Sequence, residues 1–217
     1  MLVDVTQPLY GGMPKALTLP DVSITPLRRL ADGEPVEVTQ LTIPSHAGTH
    51  IDAPSHVLPG AKTIDQIPLE RFTGPGVVVS VRRAPGETIG VQDVLDGGPE
   101  LRDGDMLLLD TGWAAKFGTD DYHDHPSLHP DLAEWLVERG VGLVGVDVVT
   151  PDLPLPRRPE GFGFPVHHTL LGREILIAEN LASLAPAAGR RVHVSAFPLI
   201  VRGGDAGHVR MVLDVPA

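Results

Sequence analysis

Met106-Leu107-Leu108-Leu109-Asp110, Pro130-Asp131-Leu132-Ala133-Glu134-Trp135-Leu136-Val137-Glu138-Arg139 and Leu143-Val144-Gly145-Val146-Asp147 together decide the fold. The two outer runs are short and continuously apolar, which marks strands buried on both faces. Between them Leu132, Trp135, Leu136 and Arg139 recur at helical spacing, and Gly140 stands where a helix stops. Strand, helix and strand in succession predict an α/β, mixed α+β, architecture.

Outward from this stretch the same signals recur. Gly76-Val77-Val78-Val79-Ser80-Val81 is another β-branched run of the doubly buried kind. Ile175-Leu176-Ile177 and Arg191-Val192-His193-Val194 read as strands, as do Leu2 to Thr6 and Val209 to Val215 at the two ends. Val91 to Leu95 reads as a short helix with Asp93 in its first turn. Val36-Glu37-Val38-Thr39-Gln40-Leu41-Thr42-Ile43 alternates as a strand and leads directly into a histidine-rich segment. No repeat, low-complexity tract or linker interrupts the pattern, so residues 1–217 read as one domain.

Composition narrows the chemistry. A chain of 217 residues with 42% hydrophobic content can bury a core without staples. It has 24 glycines and 22 prolines and is 4% aromatic, which predicts short strands and many turns. With no cysteine, thiolate metal sites are excluded, and any metal must sit on His, Asp, Glu or backbone oxygen. A net charge of -11 repels phosphate backbones, so no nucleic-acid partner is expected. Met1-Leu2-Val3-Asp4 does not begin a signal peptide, and no apolar run approaches the roughly 20 residues a bilayer requires. The expectation is a cytoplasmic protein with no membrane partner.

His46-Ala47-Gly48-Thr49-His50-Ile51-Asp52-Ala53-Pro54-Ser55-His56 concentrates the chemistry. His46, His50, Asp52 and His56 are four metal-capable side chains within one segment. In an extended chain His46, His50 and Asp52 share parity and face one side. Gly48, Thr49 and Pro54 argue against a helix, so a strand ending in a tight turn is predicted, with Pro54 turning His56 back toward the site. Such a segment needs distant ligands to complete it. Two regions are candidates: the first, His123-Asp124-His125-Pro126-Ser127-Leu128-His129, is rich in histidine but reads as an exposed, solvated loop, with a place at the border of the site as the alternative. In the second, Val166-His167-His168-Thr169-Leu170-Leu171 followed by the run that ends at Glu179, a carboxylate stands at the end of a strand, a pattern that fits a site residue, a surface residue or a helix cap equally.

These residues resemble the cyclase-like metal-dependent hydrolases, a family that includes bacterial kynurenine formamidase (arylformamidase) and isatin hydrolase. The family motif His-x-Gly-Thr-His-x-Asp-x-Pro-x-His is intact from His46 to His56. Further signatures match Gly145-Val146-Asp147-Val148-Val149-Thr150-Pro151-Asp152, the segment from Val166 to Leu171 with Glu179-Asn180-Leu181, and Phe197-Pro198-Leu199 with Gly203-Gly204-Asp205-Ala206 through Arg210. The resemblance implies the family's swivelling β/β/α fold. It also implies a centre of two divalent ions, Zn²⁺ foremost and Mn²⁺ next. His46, His50 and Asp52 would hold one ion, Asp52 and Glu179 would bridge to the second, His167 would ligate that one, and His56 would be the catalytic acid/base. The implied reaction is hydrolysis of an amide, formamide or cyclic amide by a metal-activated water, on a small-molecule substrate, in a homodimer or higher homo-oligomer. Two alternatives stand beside it: a metal-dependent lyase or cyclase acting on a small carbonyl substrate, and a non-catalytic metal-binding protein. One departure bears on substrate. Formamidases of this kind carry a stacking tryptophan after the first strand, and Tyr10-Gly11-Gly12-Met13-Pro14-Lys15-Ala16-Leu17 has none.

Overall fold

The computed structural model describes residues 1–216. The strands, in chain order, are β1 (Leu2–Asp4), β2 (Ser23–Arg28), β3 (Val38–Thr42), β4 (His50–Asp52), β5 (Thr73–Ser80), β6 (Thr88–Ile89) and β7 (Met106–Asp110). They continue as β8 (Ser127–Leu128), β9 (Leu143–Val146), β10 (Leu176–Glu179), β11 (Arg191–Ser195), β12 (Ala206–His208) and β13 (Val212–Asp214). The α-helices are α1 (Val91–Gly97), α2 (Pro130–Glu138) and α3 (Pro165–Leu171).

Nine strands form one mixed sheet in the order β1-β13-β11-β5-β7-β9-β10-β4-β12. Its centre, β5, β7, β9 and β10, is parallel. Each parallel connection carries a helix: α1 between β5 and β7, α2 between β7 and β9, α3 between β9 and β10. Antiparallel strands extend both sides, with β4 and β12 added beyond β10 and the two chain ends paired through β1 and β13. The sequence expectation of an α/β, mixed architecture is met.

The continuous apolar runs have the cause expected of them. Val77, Val79, Leu107, Leu109, Val144 and Ile177 join one core with helical residues such as Val94, Leu132, Leu136 and Leu170. Their neighbours Val78, Leu108, Leu143, Leu176 and Ala178 join a second core on the opposite face with Ile51, Val194 and Leu213. Alternate residues of each central strand therefore lie in different cores, and polar side chains such as Asp110 and Glu179 fall at the strand ends.

Three elements differ from the sequence reading. The alternating stretch around Val38 is a strand, but it pairs with β2 in a separate two-stranded ribbon exposed along every residue of both strands. Residues 165–171 form α3, which the sequence reading left without an element; seven residues with two histidines and a leading proline give little periodicity to read. The histidine loop expected to be solvated holds β8, which pairs in parallel with β6 and buries His125.

Gly145 is glycine because of crowding rather than backbone freedom. A Cβ there would meet Leu108 Cδ2 at 2.5 Å and Leu181 Cδ1 at 2.9 Å. Gly145→Ala is predicted to destabilise the protein by roughly 1–3 kcal/mol through overpacking. Leu108→Ala, which opens a cavity at the same contact, should combine with it less than additively in urea unfolding. Strict additivity would show that the two positions do not share this contact.

Candidate metal centre

β4 supplies the middle of the site. His50 and Asp52 are two residues apart, so both side chains leave one face of the strand. Glu179, the last residue of β10, pairs directly with His50 across the antiparallel ladder and joins that face. His50 Nε2 lies 3.3 Å from Asp52 Oδ1 and 3.3 Å from Glu179 Oε2.

The chain before β4 is shaped to deliver His46. Gly48 has φ 67°, and a Cβ there would strike Leu9 Cδ2 at 2.8 Å, so the turn requires glycine. Thr49 Oγ1 accepts from Gln7 N at 2.8 Å and donates to the Asn180 carbonyl at 2.7 Å, which ties the start of β4 to the end of β10. His46 Nδ1 then lies 2.9 Å from Asp52 Oδ1 and 3.2 Å from His50 Nε2. Beyond β4, Pro54 opens a 3-10 turn, Pro54–His56, that returns His56 to within 3.9 Å of His46, ring centroid to ring centroid. From α3, His167 brings Nε2 to 3.2 Å from Glu179 Oε1 and 3.5 Å from Asp52 Oδ2. All six residues singled out in the sequence are thus brought together.

The outer nitrogen of each inner histidine has a protein acceptor. His50 Nδ1 is 2.8 Å from the Gly48 carbonyl, His167 Nδ1 is 2.6 Å from Asp152 Oδ2, and His46 Nε2 is 2.8 Å from Asp205 Oδ2. We assign the ring proton to these outer nitrogens. The inner nitrogens then face Asp52 as lone pairs, the arrangement in which outer partners orient imidazoles toward a cation. Consistently, both oxygens of Asp52 and Oε1 of Glu179 are buried without an aligned hydrogen-bond donor, although imidazole nitrogens lie close. Burying such carboxylates unpaired costs several kcal/mol each.

With protons as the only cations, the cluster balances itself on the imidazoles. Burial disfavours a charged His50, but Asp52 and Glu179 outweigh it and push the group up to about 10. Burial likewise opposes a charged His167, and Asp152, Asp52 and Glu179 overcome it to raise the group well above the ordinary imidazole range. Asp52 would rise through burial but is held well below the carboxylate range by His167, His46 and His50. One divalent ion would do the work of those protons, and three hard or borderline donors of this kind suit it. His46, His50 and Asp52 offer ligand atoms that all lie within 4.8 Å of one another, as do Asp52, His56 and His167. The residues fit a divalent metal.

His56 differs from the others in the direction of its shift: burial, with His46 and His167 adding to it, lowers its proton affinity and favours the neutral imidazole at the cavity wall. That cavity has a volume of about 180 Å³ and reaches His46, His167 and Glu179. It is close in size to the roughly 150 Å³ cavity that holds one benzene ring, which matches a small substrate.

Four residues stand at the site that sequence reasoning did not place there. Asp152 and Asp205 lay in quoted motifs, but their partners His167 and His46 are 15 and 159 residues away. Asp152 also accepts from the backbone nitrogens of Val166 and His167, so it fixes α3 and the imidazole together. Arg158 and His125 line the cavity; Arg158 carried no sequence signal for it, and His125 lay in a His-rich candidate segment that read as solvated.

His125 is 1% exposed, and its Nδ1 donates to the Pro126 carbonyl at 2.9 Å. Burial depresses it from 6.5 to about 4, with Arg158 and His123 adding to the shift and Glu179 opposing it. A depressed histidine contributes stability that is present above its unfolded value and lost as pH falls through the folded one. Between pH 7 and pH 5 this group should remove about 2 kcal/mol. His125→Gln should therefore lose that much less stability than wild type over the same step in urea unfolding. Equal losses would contradict a buried neutral His125.

Comparison with known proteins places the chain. The Cyclase family model matches residues 3–153. Kynurenine formamidase of Salinibacter ruber (strain DSM 13855 / M31) is 36% identical over 195 residues, covering 87% of this chain and 85% of that protein. The structure of a potential metal-dependent hydrolase with cyclase activity superposes with a TM-score of 0.80 at 27% identity, covering 98% of this chain and 96% of that one. Isatin hydrolase A from Ralstonia solanacearum shares the fold with a TM-score of 0.84 at 24% identity, over 98% of this chain and 91% of its own. The match over most of the chain and the histidine-carboxylate cluster lead to one conclusion: this protein belongs to the cyclase family.

Proposed function

We propose that this protein is a divalent-metal-dependent hydrolase that cleaves a carbon–nitrogen bond in a small amide, formamide or cyclic amide. The observation that carries the reading is the set of three imidazoles, each held from outside and aimed inward at an Asp52 carboxylate that has no aligned donor. The kynurenine formamidase relatives supply the bond class.

In this reading His46, His50 and Asp52 would hold one ion, and Asp52, Glu179 and His167 would hold a second. Zn²⁺ is the first candidate and Mn²⁺ the second, since imidazole and carboxylate donors accept both. When bound, the metal supplies Lewis acidity, polarising the carbonyl and making water nucleophilic near neutral pH. Water adds its oxygen to the acyl carbon, the C–N bond breaks, and the nitrogen takes up a proton. His56 handles that proton: it is a neutral imidazole on the cavity wall, so it accepts a proton during attack and returns it to the leaving nitrogen. Asp205 Oδ2 lies 3.7 Å from His56 Nδ1, an ion-pair distance once the ring carries the proton. Leu17, Val149 and Phe164 give the cavity apolar wall beside its polar lining residues.

The same reading treats residues 1–217 as one domain acting in the cytoplasm as a homodimer or higher homo-oligomer. The β2–β3 ribbon supports the oligomer, because Ile24, Leu27, Val38 and Leu41 stand exposed on it. Among the described residues no helix is long and apolar enough to cross a membrane.

Metal-loaded protein should hydrolyse N-formylkynurenine or isatin, followed by absorbance. His56→Ala should lose about 10²- to 10⁴-fold in kcat while keeping its metal. Near wild-type turnover in that variant would contradict the proton-transfer role, and no cleavage of either substrate would count against the bond class.

A further inference from the structure

Hydrolysis as described gives no task to Arg158, His125 or the backbone of Phe164, all of which lie at the cavity. Arg158 sits in the segment between β9 and α3. Its Nε donates to the Leu153 carbonyl at 2.7 Å. Its two terminal nitrogens meet no acceptor among the described residues, and no carboxylate lies within ion-pair distance, though Asp152 and Glu179 act on it from further away.

It is the arginine that lines the cavity, and it differs there from the arginines that the fold ties to carboxylates. Arg157, its neighbour, is held by both oxygens of Asp124. Arg82, Arg191 and Arg210 each pair with an aspartate. Arg158 instead stacks on aromatic faces, with its guanidinium carbon 4.5 Å from the Phe164 ring centroid and 5.4 Å from that of Phe162. Stacking of this kind fixes the plane of the guanidinium and leaves its in-plane donors free for a planar anion. Phe164 itself is held at φ 52° and ψ 57°, a left-handed conformation that costs a side-chain-bearing residue energy. The fold maintains that strain at the residue whose ring supports Arg158 and also meets His167 edge-on at 5.9 Å.

His125 adds a second constraint. Its Nδ1 proton is committed to the Pro126 carbonyl, so Nε2 is an acceptor in a buried ring that lines the cavity. We infer that the substrate carries a carboxylate that pairs with the terminal nitrogens of Arg158, together with an N–H or O–H that His125 accepts. This rests on the hydrolase reading and names its substrate class: small amido or formamido acids, bound in preference to their uncharged counterparts.

The test uses metal-loaded protein and isosteric probes that differ in charge. In calorimetric titration, 2-aminobenzoate should bind roughly 10- to 100-fold more tightly than 2-aminobenzamide, the effect of one charge-assisted contact. Arg158→Gln should close that gap and leave 2-aminobenzamide binding unchanged, and Arg158→Lys should retain part of it. With N-formyl-2-aminobenzoate as substrate, Arg158→Gln should raise KM and preserve kcat. Equal wild-type affinity for the two probes would overturn the inference, as would a gap that survives Arg158→Gln, which would place the carboxylate on the metal. An intact, Arg158-dependent gap without turnover of either formamide would support the anion site and count against the hydrolase reading.

Discussion

A carboxylate buried at the centre of an imidazole ring of neighbours, with no donor aligned to either oxygen, is the constraint on which this structure turns. Asp52 is fully buried in β4, between β10 and β12. A lone carboxylate in that position would disfavour folding by several kcal/mol. The fold surrounds it instead with His46, His50 and His167, and a further layer of acceptors holds each of those rings in place. The Gly48 carbonyl, Asp152 and Asp205 hold the outer nitrogens of these rings and so determine which imidazole nitrogen faces the centre. The charge balance of the cluster is closed by cations, whether protons or a metal ion, and the directions of the lone pairs suit a metal.

The sheet makes this geometry rigid. Four parallel strands with side chains in two cores give the molecule a stiff centre. Glu179 ends β10, and Val149 and Thr150 follow β9, so the cavity opens beyond the carboxyl ends of neighbouring parallel strands. Open α/β sheets place ligands at that edge. The antiparallel addition of β4 next to β10 then brings the local histidine motif to the end of the parallel core. Thr49 fastens the junction through the Asn180 carbonyl. Asn180, with φ 54°, turns the chain immediately after Glu179, and its side-chain oxygen accepts from the Tyr122 hydroxyl at 3.0 Å.

Legibility in the sequence followed the range of the interactions. β5, β7 and β9 were readable because double burial writes an unbroken apolar run into the chain. The cluster from His46 to His56 was readable because four functional side chains lie within one strand and one turn, and Gly48 and Pro54 leave few conformations open. His167 and Glu179 came through the family resemblance, since strand-end position alone did not separate Glu179 from a surface residue. What escaped depended on distant partners or short elements. Three-residue β12, with a glycine at its middle, has no pattern to detect. His125 reads as solvated among its neighbours in sequence, yet it is buried two residues before β8 pairs with β6. The ribbon strand around Val38 carried a clear alternation that no local rule could assign to an exposed element.

The central claim is that the Asp52 cluster is a divalent-cation site. Its most direct test is metal content by elemental analysis after equilibration with Zn²⁺ or Mn²⁺ and exhaustive dialysis, for wild type and the near-isosteric Asp52→Asn. The account predicts at least one ion retained per wild-type chain and loss of most of it in Asp52→Asn with the fold intact by circular dichroism. A wild-type protein that emerges metal-free, or an Asp52→Asn protein that keeps the wild-type stoichiometry, would contradict it.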